Sequence, residues 1–311
     1  MNKAIIICGP TASGKTNFAH KLALKNNGEI VNADSMQLYK QLPIITASPE
    51  QKLKDELPYH LYNFQEIDKE LSATKYVDMA RDVIQKISLK GKLPIIVGGS
   101  GMYISMLANG YSLMPDIDEN IRLNARLLHK ELGCELFFEE LKKLDPKIVE
   151  NLYASDTQRT IRAYEVIKQT GKSILDFQKE ENYKPLPHFE FKIIFLLPER
   201  SFLYEACNER LKILFDSGGI DEVKLAYETF GDIQTTGMKA LGVQEIIQYI
   251  KGDIPLDEAI DLASAKTRQY AKRQTTWFKN QIIVDQVIEF STAKQYSEIM
   301  EDLARITESI I

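Results

Sequence analysis

Three features predict an α/β fold, a parallel sheet of buried strands that carries an inserted run of helices. Ala4-Ile5-Ile6-Ile7-Cys8, Leu93-Pro94-Ile95-Ile96-Val97 and Ile193 to Leu197 are apolar runs of strand length, as strands covered on both faces of a parallel sheet should be. The first two deliver glycine-rich turns, Gly9-Pro10-Thr11-Ala12-Ser13-Gly14-Lys15-Thr16 and Gly98-Gly99-Ser100-Gly101-Met102-Tyr103. Between Pro115 and Pro187 the strand signals disappear and helical spacing takes over.

The first turn fits the phosphate-cradling pattern GxxxxGK[ST] in the context it needs, between a buried strand and a helix. Its glycines let backbone N–H groups close on phosphate oxygens, and the following helix turns its positive end toward them. Lys15 is then expected to reach the terminal phosphate and Thr16 to offer its hydroxyl to Mg2+. The predicted core is therefore a P-loop NTPase-like parallel sheet.

A chain of 311 residues has room for one large core or about two domains. No apolar run approaches the roughly 20 residues of a membrane span. The chain enters its first strand directly after Met1, so no cleavable leader and a cytoplasmic location are expected. Cys8, Cys134 and Cys207 lie far apart without metal-ligand spacing and are expected to be reduced thiols. With 39 basic and 44 acidic side chains the net charge is −5, which argues against a surface that coats nucleic acid throughout.

Along the chain, Thr16 to Leu24 reads as a helix that Asn26-Asn27-Gly28 ends, and Glu29 to Asn32 as a short strand. Asp34 and Ser35 follow that strand, where the loops of an open α/β sheet face the ligand crevice. A carboxylate there is magnesium-linked, catalytic, or the cap of a helix beginning near Ser35. The segment from Ile45 to Leu71 reads as irregular, and Tyr76 to Ile87 as a crossover helix with one apolar face. The strand ending at Val97 is followed by glycines rather than the Asp that manages water in many nucleotide hydrolases, so a motor-type ATPase is disfavoured.

The sequence predicts a core of 1–114 and 188–311 with a helical insertion at 115–187. Inside the insertion, one helix runs to Leu132 before Gly133, a second spans Glu135 to Leu144, and a third is capped by Asp156 and ends at Gly171. Gln158, Arg159 and Arg162 share a face of the third with Glu165, which is either a binding face or a salt-bridged solvent face. Beyond the insertion, helices are expected at Ser201 to Asp216, Glu222 to Thr229, Gly242 to Ile250 and from Leu256 onward, with a last strand at Ile282-Ile283-Val284. No acidic residue occurs from Leu262 to Val284, where Tyr270, Trp277 and Phe278 accompany five cations, Lys272 and Arg273 among them. That block suits a phosphate backbone and unstacked bases, unless neighbouring acids neutralise it.

The two glycine turns, Asp34-Ser35 with Tyr39, Asp156 to Arg162, Gly242 and Thr267 to Trp277 resemble, in family order and over nearly the whole chain, the tRNA dimethylallyltransferases. The resemblance implies transfer of a dimethylallyl group from dimethylallyl diphosphate to the exocyclic amine of the adenosine just 3′ of the anticodon. It implies Mg2+ as cofactor and a helical insertion that grips the tRNA anticodon stem-loop; a monomer is expected, and the apolar runs give no membrane partner. Asp34 would take the amine proton, with Lys15 and Thr16 as its catalytic partners, while Gly9 to Thr16 and Arg210 hold the diphosphate. Ser35, Met36 and Gln37 would line the adenosine, and Ser100, Arg122, Gln158, Arg159, Thr160, Ile161 and Arg162 would contact the RNA. Lys272, Arg273 and Trp277 would extend that contact. Three places depart from the family pattern: Ile45-Thr46-Ala47-Ser48-Pro49 lacks a glycine and a lysine, Ser100 replaces threonine, and Val243-Gln244 replaces Tyr-Lys. A small-molecule kinase, an enzyme prenylating free adenine nucleotides and a nucleotide-switched RNA-binding module share parts of this pattern.

Overall fold

The apolar runs pair as their composition requires. In the computed structural model, which describes residues 1–311 except Gln234, Ala304, Arg305 and 307–311, six parallel strands form one sheet in the order β3-β2-β4-β1-β5-β6. These are β1 (Asn2–Cys8), β2 (Gly28–Asn32), β3 (Tyr59–His60), β4 (Leu93–Gly98), β5 (Phe189–Pro198) and β6 (Gln286–Phe290). The three runs recognised as doubly covered are adjacent at the centre, with Ile7 opposite both Val97 and Ile194. On one face Ile5, Ile7, Ile95 and Leu196 pack with Phe18 and Leu22 of α1 (Lys15–Lys25).

The crossover helix is α3 (Ala73–Leu89), capped by the Ser72 hydroxyl and burying Tyr76, Val77, Ala80, Ile84 and Ile87. The region expected to be irregular holds α2 (Gln51–Glu56) and the two-residue β3. The second glycine turn opens α4 (Gly101–Asn109). Helices α8 (Arg200–Leu214), α9 (Ile220–Phe230), α10 (Val243–Lys251) and α11 (Leu256–Gln281) follow β5, and α12 (Ala293–Glu301) follows β6.

The last strand is not at Ile282 to Val284: Ile282 caps α11, Ile283 is 92% exposed, and Gln286–Phe290 makes the pairing. An edge strand alternates buried and exposed residues, so its apolar content is diluted and a search for continuous runs passes over it.

The chain divides into two compact units, Met1–Ala108 with Pro185–Ile311, and Asn109–Lys184. The second begins and ends before the expected 115–187 because Tyr111 and Tyr183 pair across its two connecting segments. It contains α5 (Glu119–Leu144), α6 (Thr157–Thr170) and α7 (Ile174–Gln178). Gly133, at φ 73° and ψ 175°, breaks α5 into the two expected helices. Gly171, at φ 70°, ends α6. Asp156 precedes α6 but does not cap it with its side chain, pairing instead with Arg159 at 3.0 Å.

Candidate active site

The carboxyl ends of parallel strands open on one side, and the turns after β1, β2 and β4 meet there. The loop after β1 passes through the left-handed region at Ala12 (φ 61°) and Gly14 (φ 78°). A Cβ at Gly14 would lie 2.7 Å from the ring of Tyr296, whose hydroxyl donates to the Gly14 carbonyl at 2.8 Å. Ser13 Oγ is buried without a hydrogen-bond partner among the described residues.

Lys15, 9% exposed, donates from Nζ to the Pro10 carbonyl at 3.1 Å. Burial pushes its ammonium group down to about 8; Arg210 of α8 adds repulsion, and Asp34 opposes both. Burial likewise lowers Arg210, again against the pull of Asp34. The carboxylate after β2 and two cations from the β1 loop and α8 therefore share one electrostatic neighbourhood. Cys8 and Cys207 lie in the same field with thiols pushed up by burial to about 12 and about 11, and they stay neutral.

Asp34 does not cap a helix. The residues after β2 form a turn in which its Oδ1 accepts from the Met36 N–H at 3.0 Å, while its own N–H donates to Asn32 Oδ1 at 2.8 Å. Asn32 Nδ2 donates to the carbonyls of Asp34 and Leu61, so the carboxylate stands on a fixed backbone. Burial, with the charge of Asp34 adding to it, raises the phenols of Tyr62, Tyr76, Tyr103 and Tyr270. Tyr76 and Tyr103 stack with centroids 3.8 Å apart, and Tyr76 donates to the Asn32 carbonyl at 2.6 Å.

The β2 and β4 turns are joined without slack. Ser100 Oγ accepts from the Ser35 N–H at 2.8 Å and its hydroxyl donates to Ser35 Oγ at 3.1 Å. A Cβ at Gly98 would fall 2.0 Å from the Ala33 carbonyl oxygen, so only glycine permits this approach. Gln37 is buried, and its Nε2 donates to the carbonyls of Thr46 and Ala47, so that nitrogen is engaged by its own loop. The same loop hangs from Glu222, whose carboxylate accepts from the N–H groups of Ile44 and Ile45 at 2.8 Å each. Met36 packs against the neighbouring apolar cluster.

On α11, Lys266 pairs with Glu245 and Arg268 donates to Asn208, so two of the five cations have partners. Lys272 and Arg273 are exposed and form no ion pair among the described residues; Arg273 lies over the Tyr270 ring at 5.7 Å. Trp277 packs on the second glycine turn, where a Cβ at Gly101 would be 2.3 Å from its ring. In the Asn109–Lys184 unit, Arg122, Gln158 and Arg159 are exposed, Ile161 is half-buried, and Arg162 pairs with Glu165 at 3.2 Å. Thr160 is 1% exposed, packed inside that unit with its hydroxyl donating to the Thr157 carbonyl.

A family model described as IPP transferase matches residues 37–281. The chain belongs to the IPP transferase family. Among curated relatives, tRNA dimethylallyltransferase of Rickettsia massiliae (strain Mtu5) is 48% identical over 96% of this chain and 82% of its own length. The enzyme of the same name from Rickettsia prowazekii (strain Madrid E) is 47% identical over 98% of each chain. The crystal structure of the full-length tRNA isopentenylpyrophosphate transferase of Bacillus halodurans superposes with a TM-score of 0.70 at 31% identity, covering 99% of this chain and 98% of that one. A eukaryotic dimethylallyltransferase described as acting on tRNA gives 0.78 at 25% identity, over 98% of this chain and 80% of that one.

Several residues shape the site of this IPP transferase through contacts that motif reading does not reveal, although one of them, Gln274, lies within the Thr267 to Trp277 motif. Gln274 binds both glycine turns, Tyr296 holds Gly14 and Glu222 holds the loop at Ile44. Each acts across more than 170 residues of chain. No local pattern announces such a contact.

Proposed function

We propose that the protein transfers a dimethylallyl group from dimethylallyl diphosphate to the N6 amine of the adenosine 3′-adjacent to the anticodon of tRNA. The observation that carries this reading is the shared electrostatic neighbourhood of Lys15 and Asp34, which follow β1 and β2, with Arg210 of α8: two cations for a leaving diphosphate and one carboxylate for an amine proton. As transfer proceeds, the bond from the allylic carbon to the diphosphate oxygen breaks and its electron pair leaves with diphosphate. The adenine N6 forms the new bond and its proton passes to Asp34. Lys15, Arg210 and the loop N–H groups are suited to the charge that accumulates on the leaving oxygen. Asp34, held at fixed height by Asn32, acts as general base.

Mg2+ fits this donor set. The buried, unpartnered Ser13 hydroxyl marks the loop as a cradle for oxygen ligands. Among the described residues no group of three or more His, Cys, Asp or Glu forms a metal cage. A magnesium ion bound through one hydroxyl, substrate phosphate oxygens and water suits that arrangement, and Thr16 at the start of α1 would hold it. Bound there, it would supply positive charge to the diphosphate.

Arg122, Gln158 and Arg159, with Lys272 and Arg273, are the proposed contacts to the anticodon stem-loop. Incubation with labelled dimethylallyl diphosphate and unmodified tRNA, AMP or ATP tests the reading. Label is expected in tRNA alone. Label in AMP would make the protein a free-nucleotide prenyltransferase, and ATP turnover without transfer would make it a kinase.

A further inference from the structure

We propose that Gln274 is a positioning residue for the transfer, its amide setting the distance between the diphosphate loop and the turn that carries Ser100. The inference rests on the function proposed above. Gln274 is 5% exposed in the C-terminal half of α11. Its Oε1 accepts from the Thr11 N–H at 2.8 Å, and its Nε2 donates to the Gly99 carbonyl at 2.9 Å. The orientation is determined, because turning the amide over would set donor against donor and acceptor against acceptor.

The helix beneath this amide is anchored on both sides of it. Ala271 packs with Leu203 and Cys207, and Ala12 of the diphosphate loop rests on the same cluster. Phe278 meets Phe195 of β5 with centroids 5.6 Å apart. The opposing turn is shaped to receive it, since a Cβ at Gly99 would come within 2.3 Å of Nε2.

What the amide joins are the two halves of the reaction. Thr11 leads through Ala12, held in the left-handed region at φ 61°, to Ser13, Gly14 and Lys15 on the leaving-group side. Gly99 leads to Ser100, whose Oγ fixes the Ser35 N–H next to Asp34 on the nucleophile side. One side chain thus ties the loop on the leaving-group side to the turn on the nucleophile side. The Thr11 N–H is committed to Gln274, so the glutamine acts through the spacing of the loops without touching phosphate.

Gln274→Met keeps the length of the side chain and removes both hydrogen bonds. With both substrates saturating, its single-turnover transfer is expected to be about 10- to 100-fold slower, the scale on which misplacement of reacting groups acts. Equilibrium affinities for dimethylallyl diphosphate and tRNA, measured separately, are expected to stay within about threefold of wild type. Gln274→Glu retains the acceptor for Thr11 and loses the donor to Gly99, so it is also expected to be slow and provides a second, more polar test. Gly99→Ala displaces the same amide, and the Gly99→Ala/Gln274→Met double variant is expected to be no slower than the worse single variant. A lowered melting temperature with a wild-type single-turnover rate in Gln274→Met or Gln274→Glu would overturn the inference, leaving a purely structural glutamine. Failure of the wild-type protein to modify tRNA would overturn the functional reading itself, a distinct result.

Discussion

Lys15 is positioned at a measurable cost in stability, and the structure sets its size. The ammonium group is pushed from 10.5 down to about 8 by burial, which corresponds to about 3 kcal/mol of preference for the unfolded chain while the group is charged. The sign follows from proton counting. Between about pH 8 and 10.5 the unfolded chain binds more protons at this site than the native one, so the contribution of Lys15 to stability rises with pH through that window. Lys15→Met removes the buried charge and keeps the apolar stem, so it should be more stable than wild type at pH 7. That advantage should shrink by about 2 kcal/mol between pH 7 and about pH 9.5. Urea unfolding of both proteins across this range measures it, because groups outside this site titrate alike in the two proteins and cancel in the difference, while Cys8 and Cys207, whose thiols the Lys15 charge pulls down, enter it together with Lys15. Parallel stability curves would refute the reasoning. The same variant should not transfer, having lost the cation at the leaving group, and wild-type affinity for the donor diphosphate should weaken by up to about tenfold per pH unit above 8.

Two further outcomes are expected. Asp34→Asn keeps an oxygen for the Met36 N–H and should fold like wild type, yet single-turnover transfer should slow at least roughly 100-fold because an amide does not accept the amine proton; a near-normal rate removes Asp34 from the mechanism. Replacing Lys272 and Arg273 together by Ala should weaken tRNA binding and flatten its salt dependence with donor affinity unchanged, since fewer counterions are released; an unaltered salt slope shows that this face of α11 does not meet RNA.

The parts of this protein that depend on local sequence are legible in the chain. Central strands announce themselves as continuous apolar runs because both faces are covered. The loop after β1 announces itself because its glycines and Lys15-Thr16 stand at the spacing of a phosphate-binding pattern. Gly133 and Gly171 break or end helices where the sequence predicts, since left-handed backbone conformation is a property of the residue itself. The edge strand Gln286–Phe290 escapes a search for apolar runs because its outward-facing residues interrupt the pattern. Asp34 is open to being read as a cap because Ser35 and Met36 do not reveal whether a helix follows.

How these legible pieces are held is settled by tertiary packing. Lys15 and Asp34 become electrostatic neighbours because parallel strands deliver their loops to one side of the sheet, and Arg210 joins them from α8, facts of topology rather than of composition. Thr160 is buried inside its unit and Trp277 is half-buried against the second glycine turn, whereas Lys272 and Arg273 are exposed on the same helix as Trp277. Gln274 lies within the Thr267 to Trp277 motif, but the motif does not reveal its role, for a glutamine within a helix is ordinarily a solvent-facing residue. It joins the two glycine turns because Ala271 and Phe278 bury this face of α11 against the core, where an amide must find both a donor and an acceptor.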